Sequence, residues 1–94
     1  MSALLLRHKV TDYVTWKQVF EEHGDVRRAY GSQGSRLFRN TADPNETVIL
    51  FEWDDLDRAR LFAQSDDLRG AMARAGVADQ PDIWFLEEAD QPSV

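Results

Sequence analysis

The chain has 94 residues, 43% apolar and 30% charged, with 17 acidic residues against 11 basic and a net charge of −6. That length holds one domain around one core, residues 1–94, and the composition is that of a folded chain. The acidic balance argues against a nucleic-acid partner, and the lack of cysteine excludes disulfides, thiol catalysis and thiolate metal sites. The apolar run Ala3 to Leu6 is too short for a signal peptide or a membrane span, so a cytoplasmic protein is expected.

Residues 3–10, ALLLRHKV, alternate as a strand, with Leu4, Leu6, His8 and Val10 on one face and Leu5, Arg7 and Lys9 on the other. Asp12 stands where a helix N-cap belongs. After it, Tyr13, Trp16, Phe20, His23, Arg27 and Tyr30 recur at helical spacing. Gly24 predicts a bend near residues 23–25, and Gly31 is a suitable stop. Residues 35–40, SRLFRN, form a second strand, TADPNE a turn, and Thr47 to Trp53, TVILFEW, the strongest strand in the chain. A helix starts after Asp55, a further short one after Ser65, and Gly76 ends it. Residues 83–88, IWFLEE, complete the pattern, and residues 89–94 form a loose tail.

The order β-α-β-β-α-β, with the second helix in two pieces, predicts an α+β fold. It is the ferredoxin-like arrangement, a four-stranded antiparallel sheet ordered 4-1-3-2 with helices on one face. Helices cover only one side of such a sheet, yet both sides of the central strands are apolar. Leu4, Leu6, Val10, Val48 and Leu50 are expected on the helix side, and Leu5, Ile49, Phe51, Trp53, Trp84 and Leu86 on the other. That second face predicts a homodimer with its sheets face to face.

Glu52 is the one ionisable residue inside the strongest strand, and a buried carboxylate calls for a partner. Pairing the two central strands near their middles would set His8 opposite or diagonal to Glu52. Arg36, Phe38 and Asn40 join that face only if the hairpin register allows it, since a one-residue slip sends all three to the other side. Two readings of the His8–Glu52 pair stand. Either it is a polar pair that fixes strand register, or Glu52 orients His8 as a base toward an acidic substrate. No nucleophile elbow, metal-ligand spacing or phosphate loop appears, so neither metal nor cofactor is expected. Trp16 and Phe20, with Phe38, would wall a small-molecule pocket. His23 lies on the same stripe as Trp16, beside the helix break.

The segments RHKVTDYVTWKQVFEEH, SRLFRNTADPNETVILFEWDDLDRAR, LRGAMARAGV and IWFLEE together resemble the dimeric α/β-barrel superfamily. The nearest branch is the antibiotic-biosynthesis-monooxygenase-like domains, and the likeness spans residues 3–89. It implies a homodimer whose two sheets form a barrel, with a pocket in each subunit between sheet and helices. Members of that superfamily include cofactor-independent oxygenases of aromatic polyketides, cyclases, isomerases and haem-degrading enzymes. The haem branch requires an Asn on the first strand and a His on the second helical segment. Here Asn occurs only at 40 and 45 and His only at 8 and 23, so haem chemistry is disfavoured. No catalytic set of the polyketide branch matches residue by residue, so His8, Glu52, Arg36 and Asn40 are nominated by strand geometry alone. The expected function is a cofactor-independent monooxygenase- or cyclase-like oxidoreductase acting on a small aromatic or acidic substrate. The alternative is a homodimer that binds a small ligand, or serves in stress, without chemistry.

Overall fold

A computed structural model describes all 94 residues, Met1–Val94. The elements are β1 (Ser2–Lys9), α1 (Tyr13–Glu22), α2 (Gly24–Ala29), β2 (Ser32–Asn40), β3 (Asp43–Trp53), α3 (Leu56–Ala63), α4 (Asp66–Ala75) and β4 (Asp82–Glu87). The four strands form one antiparallel sheet in the order β2-β3-β1-β4, the expected ferredoxin-like topology. No helix is long and apolar enough to cross a membrane.

The helix boundaries follow local chemistry. Asp12 caps α1, its carboxylate accepting from the Thr15 N–H at 3.2 Å and the Thr15 hydroxyl at 2.6 Å. Asp55 and Ser65 cap α3 and α4 in the same way. The predicted bend is a break at His23, which closes α1 and precedes α2. Gly76 ends α4 with left-handed backbone, φ 76° and ψ 41°, and an added Cβ would fall 2.6 Å from the Thr11 hydroxyl. Gly76→Ala is therefore expected to cost about 1–2 kcal/mol, read as a lower urea midpoint at unchanged m-value.

The hairpin differs from the sequence reading. The stretch TADPNE is mostly strand, and only Thr41 and Ala42 make the turn, with Asn40 paired to Asp43. The Asn40 side chain accepts from the Ala42 N–H at 2.9 Å, an Asx-type turn. Pro44 is tolerated because β3 runs past the end of β1 there: their pairing stops at Lys9–Glu46.

That longer β3 resets the register. In the β1–β3 ladder Leu4 faces Phe51, Leu6 faces Ile49, His8 faces Thr47, and Ala3 faces Glu52. Leu4, Leu6, His8, Ile49, Phe51 and Trp53 all lie in the core under the helices, joined by Trp16, Ala59, Phe62 and Leu68. Ile49, Phe51 and Trp53 are thus core residues, and their expected place on a dimer face is corrected. The open side of the sheet instead carries Leu5, Phe38, Val48, Leu50, Trp84 and Leu86. Phe38 is 51% exposed and Trp84 46%.

The physical reason lies in alternation. One set of β3 residues, Thr47, Ile49, Phe51 and Trp53, holds no charge, whereas the other, Glu46, Val48, Leu50 and Glu52, holds two carboxylates. Burying the uncharged set avoids taking two carboxylates out of water. Residues 88–94 carry no helix or strand and lie exposed.

Candidate functional site

Between the sheet and helices α1, α2 and α4 lies a cavity of about 40 Å³, the space open to the centres of water-sized molecules. Eleven of its 14 lining residues are hydrophobic, among them Trp16, Phe20, Phe51, Phe62 and Met72; the other three are His8, His23 and Arg27. At roughly 10–15 Å³ per water this space admits only a few waters, so a ligand requires side chains such as Met72 to move. Trp16 and Phe20 stack with ring centres 5.1 Å apart, and Phe20 and Phe51 meet at 6.2 Å.

His8 is the polar group that the fold holds deepest in this wall. It is 2% exposed, points from β1 toward α1, and meets the Trp16 ring edge-on at 5.7 Å. Both ring nitrogens lack a hydrogen-bond partner. Its neighbour across the ladder, Thr47, gives its hydroxyl to the His8 carbonyl at 3.2 Å and leaves the imidazole free. Burial lowers the His8 pKa to about 4, against a small opposing pull from Asp79. The imidazole is therefore neutral at pH 7, with one N–H to donate and one lone pair to accept.

His23 stands at the α1–α2 break, buried, with its ring 6.1 Å from that of Phe62. Burial lowers its pKa too, helped by the positive charges of Arg27 and Arg74. Arg27 enters from α2. Its Nη1 donates to the Phe20 carbonyl at 2.7 Å, and its guanidinium lies 3.7 Å from the Phe20 ring centre. Burial lowers its pKa to about 10, which still leaves it cationic at pH 7, and no carboxylate lies within ion-pair distance.

Of the residues nominated from sequence, His8, Trp16, Phe20 and His23 converge on this cavity. Glu52 does not. It faces Ala3 and Gly34 on the open side of the sheet, so the expected His8–Glu52 pair does not form. Arg36, opposite Leu50, and Phe38, opposite Val48, share that open side; there Arg36 and Glu52 line a depression of about 240 Å³ with Gly34, Ser35 and Leu50. Asn40 ends β2, where its amide donates to Glu46 at 3.3 Å. The hairpin register keeps Arg36 and Phe38 on the face of Glu52, as the unslipped pairing has it; the β1–β3 register sets His8 on the other face.

Arg27 is the residue that sequence reasoning passed over. Its signal was present as a permanent charge on the apolar stripe of the first helical stretch. Arg7 was also passed over. On the open face it gathers Asp82 at 3.1 Å, Glu46 at 3.3 Å and Asp79 at 3.3 Å, tying β4 and the loop before it to β1 and β3. Its hydrogen bond lowers the Glu46 pKa, while Asp79 is lowered first by the Lys9 backbone N–H at 2.8 Å. No group of three His, Asp or Glu side chains is gathered as metal ligands.

By sequence, neither a protein-family pattern nor a curated protein matches the chain. By structure it is similar to the antibiotic biosynthesis monooxygenase fold. A Bordetella bronchiseptica protein provisionally assigned to those monooxygenases superposes with a TM-score of 0.78 at 17% identity, covering 94% of this chain and 96% of that one. An antibiotic biosynthesis monooxygenase superposes with a TM-score of 0.71 at 13% identity, covering 96% and 100%. A variant of SnoaB, a cofactor-independent oxygenase from Streptomyces nogalater, superposes with a TM-score of 0.74 at 22% identity, covering 99% and 97%. At these identities the likeness establishes the fold.

Proposed function

We propose that the chain is a cofactor-independent, monooxygenase-like enzyme that takes a small aromatic or acidic substrate between sheet and helices, with His8 as its base. The observation that carries this reading is the His8 ring, buried in an apolar wall with neither nitrogen bonded. A buried polar group without a partner costs about 1–3 kcal/mol, and a ligand that bonds it recovers that cost. A neutral imidazole accepts a proton from an activated C–H or phenolic O–H. The resulting substrate anion lies beside the imidazolium and is the counterion that no protein carboxylate supplies. The anion then adds dioxygen at a carbon that bears a second hydrogen. As that C–H and the O–O bond break, CH2 becomes C=O, the substrate supplies all four electrons, and the second oxygen leaves as water with that hydrogen and the proton returned by the imidazolium. Trp16 and Phe20 present flat apolar surface to an aromatic ring, and the water-poor cavity shields the anion from reprotonation. The fold shared with a cofactor-independent oxygenase supports the same chemistry by analogy.

A second copy of the chain is part of this proposal. The open sheet face exposes Phe38, Trp84 and Leu86 beside half-buried Leu5, Val48 and Leu50, an apolar surface that a two-fold partner sheet would cover. The Arg7 ion cluster at its margin and the Arg36 and Glu52 side chains would form a polar rim.

Oxygen uptake with a panel of aromatic polyphenols tests the chemistry. His8→Phe, which keeps an aromatic ring but removes both nitrogens, is expected to lower turnover by about 10²- to 10⁴-fold. Glu52→Gln, on the far face, should stay within about twofold of wild type. Turnover that survives in His8→Phe would remove His8 from the mechanism. Binding without turnover across the panel would favour the ligand-carrier reading, which the absence of a carboxylate beside His8 also supports.

A further inference from the structure

A second cleft opens between α2 and the start of β2, lined by Arg27, Arg28, Ser32, Gln33 and Ser35 with the backbone of Gly24 and Gly34. It encloses about 180 Å³ by the same measure, contains no hydrophobic residue, and, in a chain with 17 acidic residues, has no carboxylate in its wall. Ser32, Gln33 and Ser35 make no side-chain hydrogen bond within the protein. Arg28 pairs only with Asp25, at 2.7 Å, through side chains 75% and 93% exposed, a contact that water and salt readily displace. A bulge between Ser32 and Gly34 shapes the β2 wall, and Ser35 lies opposite Phe51, on the helix side of the sheet. Arg27 lines both this cleft and the apolar cavity, so its guanidinium stands at their junction.

We propose that the cleft is a carboxylate subsite, and that the ligand is an amphipathic organic acid. Its charged group meets Arg27, Arg28 and the Ser32–Ser35 donors, while its apolar body enters the cavity toward His8. The chemistry fits on both sides. A planar guanidinium binds a carboxylate through two parallel N–H bonds, and an arginine without a counterion in a half-buried position is set up for such a partner. Three uncharged donors beside it supply further N–H and O–H groups without repelling an anion. The cavity beyond offers apolar and aromatic walls. This inference deepens the reading above by naming the substrate class, and its test is affinity, which does not depend on turnover.

The test is a titration of the full chain with phenylacetate and its neutral counterpart 2-phenylethanol, followed by heteronuclear NMR. Wild type is expected to bind phenylacetate about tenfold more tightly, the advantage of a charge-assisted hydrogen bond. Resonances of Ser32–Ser35 and of His8 should shift together. Arg27→Gln should reduce the preference to below twofold. Gln33→Glu, at an exposed position that leaves the fold alone, should weaken phenylacetate about fivefold and leave the alcohol unchanged. Equal affinity of the two ligands, binding of neither, or a preference that survives both substitutions would overturn the subsite. Shifts at Ser32–Ser35 with His8 unmoved, by phenylacetate or by inorganic phosphate alone, would overturn the bridged placement. A protein that keeps the tenfold preference yet consumes no oxygen would sink the oxygenase reading and leave the subsite standing.

Discussion

Trp53→Ala is expected to destabilise the monomer fold by about 3–5 kcal/mol, the cost of removing a large aromatic from a close-packed core. The ring is 2% exposed and contacts Phe62 at 5.1 Å and Phe51 at 6.0 Å between ring centres. Its indole N–H donates to the Tyr30 carbonyl at 2.9 Å, tying the end of β3 to the end of α2. Truncation would open a cavity beneath α3 and leave that carbonyl without its donor. Urea unfolding at several protein concentrations checks the expectation. The loss should be the same at every concentration, because Trp53 packs inside one chain. Trp84→Ala, on the open face, should instead cost stability at high protein concentration and progressively less on dilution if that face pairs two copies. A concentration-dependent loss for Trp53→Ala would contradict its place in the core.

Acid should destabilise the protein well before its carboxylates titrate. The unfolded chain protonates His8 near pH 6.5, whereas the folded chain resists until about pH 4. Between those values the unfolded state binds more protons, so stability falls as the pH falls, and above pH 6.5 the effect is absent. The full difference is worth roughly 3 kcal/mol for His8, a large part of the stability of a 94-residue domain. His23, lowered chiefly by burial as well, adds to the loss in the same direction. Asp12, Glu46 and Asp79, held below their usual values by hydrogen bonds, lose their contributions only at more acid pH. Urea midpoints from pH 7 to pH 4 should therefore fall steeply in wild type and much less in His8→Phe. An NMR titration that places His8 near 6.5 would show its ring solvated or paired, against the buried geometry.

Local chemistry is where the chain is most readable. Caps at Asp12, Asp55 and Ser65, a stop at Gly76 and a break beside Gly24 each depend on residues a few positions apart, and all lie where expected. Element order then leaves few topologies, and the ferredoxin-like order follows. The aromatic stripe of the first helix was equally legible, so Trp16, Phe20 and His23 reach the cavity along with His8.

The pairing of β1 with β3 is a different kind of fact. Thr47–Trp53 reads as a strand at any register, and a shift of one residue exchanges its faces. That shift moves Glu52 away from His8, carries Arg36 and Phe38 to the open side, and turns Trp53 from an interface residue into the centre of the core. Alternation held a usable clue, since Glu46 and Glu52 share a face and should share the solvated one. Arg27 posed the complementary problem: a charge on an apolar stripe reads as an exception until α2 and β2 come together around it.

By itself, then, the sequence determined the elements, their order, the sheet topology and the presence of a polar histidine on a buried strand face. Those features arise from short-range backbone preferences and from hydrophobic period, which are properties of neighbours along the chain. Only the tertiary structure decided which side chains meet: His8 with Trp16 and an apolar cavity, Glu52 with the open face, Arg27 with two clefts at once. Such meetings depend on register and helix docking, set by the whole core minimising buried charge and filling space, and no single segment encodes them.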